Sequence, residues 1–233
     1  MTPEVVVVTA LLGAGPDQLN VPPPVEQGVR YVCVTDRTEG VPKGWDAVDY
    51  AGPRVESSRQ QARWVRAHVP DLFPQAEATI WLDASFDFHV SPSCFVDRLR
   101  DLGTDMLAFR HPDRHRIRDE AAAIIEAGQI TPIAAAEVLA RYAADGFDTD
   151  RHPQTILTAG GVLVRGTHPR VTRFGETWWR ELKRYGERFD QLSLDYCARE
   201  AGLTIGYLEG HYAEHQWLYF DRDRHRGRVP AHV

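Results

Sequence analysis

The sequence of 233 residues predicts an α/β fold, on three observations. Strand-like and helix-like segments alternate along the chain, as they do where helices cover a sheet. Short β-branched runs, Val5 to Thr9 above all, are too short for helices and have no polar face, as in strands buried on both sides. Several such runs end in polar residues, and open α/β sheets collect their ligands at the carboxyl ends of strands. The length fits one large domain with a sizeable core, expected over 1–220, followed by a charged tail over 221–233.

In chain order, Val5 to Thr9 is the first strand, with Thr9 at its carboxyl end. Gly13, Gly15 and Pro16 break the chain, and Val21 to Pro24 is a proline-rich connection. Arg30 to Thr35 reads as a strand ending at Asp36, and Ala47 to Tyr50 as a third strand. Glu56 to His68 reads as a helix with Ser57 and Ser58 at its start and Pro70 beyond its end. Ala78 to Leu82 is a strand entering Asp83, and Ser93 to Leu102 is a helix stopped by Gly103. Asp105 to Phe109 is a strand running into Arg110 and His111. The alanine-rich stretch Arg118 to Asp145 is helical, divided in two by Gly128 and Pro132. Gly160 to Arg165 is a strand. In the helix Pro169 to Tyr185, the residues Val171, Phe174, Trp178 and Leu182 recur at helical spacing. Asp190 to Glu200 is a helix ending near Gly202, and Thr204 to Leu208 is the last strand of the series. Trp217, Tyr219 and Phe220 are expected to pack a C-terminal strand rather than line a groove.

Composition narrows the function. The net charge of −6 argues against a dedicated nucleic-acid binder, which carries a basic excess. The apolar run Val5 to Val8, extended by Ala10 to Leu12, is too short to span a bilayer, and no basic region precedes it. Cys33, Cys94 and Cys197 are odd in number and widely spaced, which suggests reduced thiols and a cytoplasmic protein. There is no Gly-x-x-x-x-Gly-Lys loop, no Gly-x-Gly-x-x-Gly after a strand and no Gly-x-Ser-x-Gly elbow. Kinase, dinucleotide-oxidoreductase and α/β-hydrolase readings lose support accordingly.

The informative segment is Ile80-Trp81-Leu82-Asp83-Ala84-Ser85. An apolar strand that delivers a carboxylate into a cleft can hold Mg²⁺ or Mn²⁺, hard cations that take oxygen ligands and bridge phosphates. Asp83-x-Ser85 is the candidate ligand pair, with Asp87 two residues on and His211 a further candidate; the plainer reading is a strand followed by a turn. Arg59, Arg63 and Arg66 share one face of their helix, either to meet a diphosphate or as a solvated face. The basic run Arg110-His111-Pro112-Asp113-Arg114-His115-Arg116 suits an anionic donor or an exposed loop. Asp190, next to Gln191, is a helix N-cap, a general base, or a group that orients a donor sugar.

The ordered set of these segments resembles a known family. The segments are Tyr31-Val32-Cys33-Val34-Thr35-Asp36, Ala62-Arg63-Trp64-Val65-Arg66 with Phe73-Pro74, and the Asp83 segment. Phe109-Arg110-His111-Pro112 follows with Arg114 and Glu120, then Gly161-Val162-Leu163-Val164-Arg165, Trp178-Trp179-Arg180-Glu181 and Arg188-Phe189-Asp190-Gln191-Leu192-Ser193. Over about residues 30 to 200 the chain resembles the glycosyltransferase-like domain of plant mucilage and tapetum proteins, which also occurs in bacteria. That resemblance implies a GT-A-like, Rossmann-like fold with a mixed, mostly parallel sheet flanked by helices. It implies a nucleotide-sugar donor, a glycan or small-molecule acceptor, and Mn²⁺ or Mg²⁺. It places Asp83 and Ser85 where the family has Asp-x-Asp; His211 lies outside the matched stretch and stays a metal candidate from its own residues alone. Asp36 would border the nucleotide, Arg63 and Arg66 the diphosphate, and Asp190 and Gln191 the donor sugar; Thr9, Arg110 and His111 are donor-binding candidates from the residues themselves. A nucleotide- or glycan-binding domain without catalysis is the alternative, kept by the missing second Asp.

Overall fold

The computed structural model describes residues 4–13, 15, 18–23, 26–147 and 157–221. The features expected at Pro16 and Pro24, and the tail from 222 onward, lie outside them. One sheet holds β1 (Val5–Leu11), β2 (Val29–Thr35), β3 (Asp46–Asp49), β4 (Ala78–Leu82), β6 (Met106–Arg110), β7 (Thr158–Gly166) and β8 (Ile205–Leu208). A separate antiparallel pair joins β5 (Phe86–Phe88) to β9 (Leu218–Phe220). The order across the large sheet is β3-β2-β1-β4-β7-β6-β8. Only β7 runs against its neighbours, β4 and β6. The remaining pairs are parallel, so the sheet is mixed and mostly parallel, as expected.

The valine run of β1 shows why. Side chains alternate across a strand. Val6 and Val8 enter the core shared with α1 (Ser58–Leu72), α5 (Pro169–Tyr185) and α6 (Asp190–Ala201). Val5 and Val7 enter the opposite core, with Phe95, Val96 and Leu99 of α2 (Ser93–Leu102). A strand covered on both faces needs no polar position, and each buried valine contributes roughly 1.5–3 kcal/mol. The alanine-rich stretch forms α3 (Ile117–Glu126) and α4 (Pro132–Ala144), and Thr131 caps α4.

Helix α1 departs from expectation, because it continues to Leu72 with Pro70 inside it. A helical proline lacks the N–H that would pair with the carbonyl four residues back, here that of Arg66. Arg165 on β7 supplies the missing donor: Nη2 donates to Arg66 O at 2.8 Å, and Nη1 adds a bond to Ala67 O at 3.2 Å. Arg165 is fully buried, and burial pulls its guanidinium down to about 9, still protonated at neutral pH. Helix α5 meets α1 at the same place. A Cβ on Gly175 would lie 2.4 Å from Ala67 O, so only glycine fits there. The sequence marks Pro70 as a stop; a buried arginine from a distant strand removes the reason to stop.

Candidate functional site

The order of strands reverses between β1 and β4, the place where open α/β sheets hold ligands. Next to it, a cavity of about 240 Å³ opens at the end of β4, the start of β7 and the end of β6. A larger, more open groove of about 590 Å³ runs along Arg173, Arg180 and Arg184 of α5. It lies away from the strand ends, so the smaller cavity is the candidate site.

One wall is built on α1 and α6. Arg63 and Arg66, three residues apart on one helix face, converge on Asp190. Arg63 Nε lies 2.8 Å from Asp190 Oδ2, and Arg66 Nη2 donates to the same oxygen. Arg66 also donates to Gly160 O at 3.2 Å, and its guanidinium lies over the Trp178 ring, 4.6 Å from the centroid. Trp178 in turn donates from Nε1 to Asp190 O at 3.0 Å. Asp190 is the first residue of α6, and Phe189 holds the N-cap position. Burial alone would raise its pKa, but Arg63 and Arg66 outweigh burial and hold the carboxyl below the usual range. A carboxylate so held is a poor proton acceptor. Its evident work is to fix two guanidiniums at the cavity.

Asp190→Asn keeps the shape and removes the charge, which leaves the buried Arg66 and the half-buried Arg63 without that counter-ion. The expected loss is about 3 kcal/mol, a fall in Tm of about 6–12 °C for a domain of this size. Calorimetry of the variant checks it.

The floor comes from β4 and β7. Asp83 Oδ1 accepts from Trp81 Nε1 at 2.9 Å, and the Asp83 N–H donates to Gly161 O at 2.8 Å. Gln191 accepts from Gly160 N at 3.2 Å and donates to Thr158 O, so it is clamped to the β7 backbone. Two glycines make the room. A Cβ on Gly160 would lie 3.1 Å from Arg66 Nη1, and one on Gly161 would lie 2.8 Å from the Phe86 ring.

The opposite wall is His111, Arg114 and Glu120. Arg114 Nε donates to Glu120 Oε2 at 2.5 Å, and Arg114 Nη2 lies 2.7 Å from His111 Nε2. His111 Nδ1 accepts from the backbone amides of Asp113 and Arg114 at 3.2 and 3.1 Å. Burial, with Arg114 beside it, pushes the imidazole down to about 4. Burial raises the Glu120 carboxyl, and Arg114 opposes that rise. His111 carries a pH signature. Its folded value lies below the unfolded 6.5, so unfolding takes up a proton between the two. Stability from this residue is complete above about 6.5 and lost as pH falls toward 4, about 3 kcal/mol in all. Urea unfolding at pH 7 and pH 4.5 is expected to show a smaller acid loss in His111→Gln than in the parent.

Of the residues proposed from the sequence, Arg63, Arg66, Asp83, His111, Asp190 and Gln191 line this cavity. Arg114 of the basic run and Glu120 line it too, whereas Thr9, Asp36, Ser85, Asp87, Arg110 and His211 stand apart from it. Asp83 to Phe86 closes a turn, with Phe86 N donating to Asp83 O at 2.9 Å. That turn buries Ser85 completely, and its hydroxyl finds no partner. Thr9 is buried beneath the strand end, also without a hydroxyl partner. Asp36 is exposed and accepts from Gly13 N at 3.0 Å, where it fixes the loop after β1. Arg110 is exposed, with its guanidinium over the Tyr207 ring at 5.0 Å. His211 is exposed and accepts from Ala213 N at 3.0 Å; its neighbour Tyr212 lines the cavity instead. Asp87 accepts from Asn20 Nδ2 at 2.6 Å.

The site also includes residues given no role from the sequence, Phe86, Phe109 and Tyr212, together with Phe220. Phe220 had been expected to pack; it does so, and it reaches the cavity as well. Trp217 packs on Phe95 and Tyr219 is exposed. Strands β5 and β9 are three residues each, too short to show a period.

Among the described residues, no three His, Cys, Asp or Glu side chains gather as a metal-holding group. Of the expected ligands only Asp83 lines the cavity. One carboxylate does not make a protein cage. It does fit an ion that is held jointly with substrate phosphates, as Mg²⁺ commonly is.

Comparison with solved structures finds the same fold in two glycosyltransferases. The apo crystal structure of mouse xyloside xylosyltransferase 1 matches with a TM-score of 0.52 at 10% identity, covering 89% of this chain and 85% of that one. The apo structure of the bifunctional glycosyltransferase WbbM matches with a TM-score of 0.52 at 12% identity. That match covers 89% of this chain and 39% of WbbM, so the chain spans well under half of that protein. No curated protein matches at the sequence level. No helix of the described residues is long and apolar enough to cross a membrane. The model of one domain family matches residues 50–204, which include α1, the Asp83 strand, the His111 wall and the start of α6. On that match, the chain belongs to the TOD1/MUCI70 glycosyltransferase-like domain family.

Proposed function

We propose that this protein transfers a sugar from a nucleotide-sugar donor to an acceptor hydroxyl, with the donor's reacting end in the 240 Å³ cavity. The observation that carries the reading is the meeting of Asp83, Gln191 and the Arg63–Arg66 pair at the strand ends of a chain of this family. In the reaction the bond from the anomeric carbon to the diphosphate oxygen breaks. A bond to the acceptor oxygen forms, and the acceptor proton passes to the departing diphosphate, which carries away the electron pair of the broken bond. Charge grows on the departing diphosphate, and fixed guanidiniums stabilise such charge without reorganising. Arg63 and Arg66 fill this role, and Asp190 keeps them aimed. Gln191 offers its amide to the sugar from a side chain already clamped to β7. A divalent cation, when bound, would neutralise the diphosphate, and Asp83 would hold it. The nucleotide extends over the ends of β1 and β2, where Asp36 shapes the loop. The three cysteines are free thiols, which suits a reducing cytoplasm.

A second reading is a domain that binds a nucleotide-sugar or glycan without turning it over. The burial of Ser85 favours it, because Asp83 then lacks a second oxygen ligand in its own motif. A thermal-shift panel of UDP-, GDP-, dTDP- and CMP-sugars, each with and without Mn²⁺, tests donor binding. A ligand specific to the folded state raises Tm by mass action, by about 2.7 kcal/mol of stability at a hundredfold excess over Kd. No shift with any donor would remove the donor site. A shift without hydrolysis or transfer would select the second reading.

A further inference from the structure

The cavity has an aromatic lining that the donor reading leaves unused. Phe86 from β5, Phe220 from β9 and Tyr212 from the 3-10 turn Tyr212–Glu214 form one cluster. Ring centroids lie 4.9 Å apart for Phe86–Phe220, 5.5 Å for Phe86–Tyr212 and 5.4 Å for Tyr212–Phe220. All three line the cavity. The antiparallel pairing of β5 with β9 sets Phe86 directly opposite Phe220, so the small sheet itself holds the platform together. The platform stands beside the reacting end. A Cβ on Gly161 would lie 2.8 Å from Phe86 Cε2 and 3.7 Å from Asp83 Oδ2, which puts ring and carboxylate side by side.

The polar groups of the His111 wall, which lines the same cavity, carry no net charge. Arg114 and Glu120 cancel one another, and His111 is uncharged at neutral pH. Glu120 binds Arg114 through Oε2 alone, so Oε1 remains as an acceptor. An apolar surface that shares one cavity with balanced hydrogen-bonding groups matches a ring that is apolar on one side and hydroxylated at its edge. The cavity, at about 240 Å³, lies below the roughly 300–1,000 Å³ of pockets that enclose whole ligands. It therefore takes the reacting ends of donor and acceptor rather than either whole ligand.

We propose that Phe86, Tyr212 and Phe220 form the acceptor subsite and take the apolar face of a neutral pyranose, whose hydroxyls meet Glu120, Arg114 and His111. This rests on the transferase reading and adds the acceptor's chemical class. A uronate would bring an uncompensated charge to a wall whose own charges already cancel, so uncharged sugars are preferred. The test uses saturation-transfer NMR on the full chain with methyl glucoside, galactoside, mannoside and xyloside, and with methyl glucuronoside. The same preparation goes through the nucleotide-sugar melting panel. The expected result is saturation transfer to the ring protons of at least one neutral glycoside, with the glucuronoside weaker. Tyr212→Ala and Phe220→Ala, checked for folding by circular dichroism, are expected to weaken that binding about tenfold. Tyr212→Phe keeps the ring and is expected to retain it. If a nucleotide-sugar raises Tm but no neutral glycoside binds, the acceptor proposal falls and the donor reading stands. A glucuronoside that binds more tightly than every neutral sugar overturns the proposal, as does neutral-sugar binding unchanged in both alanine variants. If a neutral glycoside binds on these rings while no donor shifts Tm, the subsite stands and the transferase reading falls.

Discussion

Asp83→Ala is expected to lower donor-dependent turnover, read as nucleotide release, about 10²- to 10³-fold while the protein stays folded. The carboxylate sits at the end of β4 on the cavity floor, and in the proposed reaction it holds the cation that meets the departing diphosphate. Such charge stabilisation is worth several kcal/mol in the transition state, and each 1.36 kcal/mol is a factor of ten. The structural loss is smaller. Asp83 gives up one hydrogen bond from Trp81 Nε1, about 1 kcal/mol. Its backbone bond to Gly161 does not depend on the side chain. Rate and Tm are therefore expected to separate: a large fall in the first and a few degrees in the second. Turnover within threefold of the parent would take Asp83 out of the chemistry. Asp83→Asn adds a control, because it keeps the Trp81 bond and removes only the charge.

Arg165→Met is expected to destabilise the fold by about 3 kcal/mol, since the Arg66 and Ala67 carbonyls lose their donors inside the core. The cause can be isolated. Pro70→Ala restores a backbone N–H that pairs with Arg66 O, so it is expected to recover about half of the loss in the Arg165→Met background. In the parent it is expected to add much less. The two changes thus couple by about 1 kcal/mol or more, as groups sharing a partner do, and urea unfolding of the four proteins measures it. Additive effects would mean that Arg165 acts elsewhere. The same residue reaches the site indirectly, because the carbonyl it holds belongs to Arg66, whose side chain meets Asp190 in the cavity.

Much of the fold was legible in local pattern. The helix Pro169–Tyr185 has the bounds expected from its apolar spacing. Helices α2 and α6 end at Gly103 and Gly202, which adopt the left-handed conformation that stops a helix. Strands with several β-branched residues declared themselves because both of their faces are buried. Strands β5 and β9 did not, since three residues carry no period and their pairing joins positions more than a hundred residues apart.

The site divides in the same way. The sequence by itself determined the carboxylate at a strand end, the arginines on one helix face and the Asp190-Gln191 pair, because each depends on spacing within a single element. Tertiary structure alone decided what those groups meet. It turned both arginines onto Asp190, buried Ser85, left Arg110 and His211 outside the cavity, and brought Phe86, Tyr212 and Phe220 in. The physical reason is that periodicity fixes which face a side chain occupies. Its partner is fixed by the crossing of elements distant in sequence, and the energy that decides between candidate partners resides in that crossing.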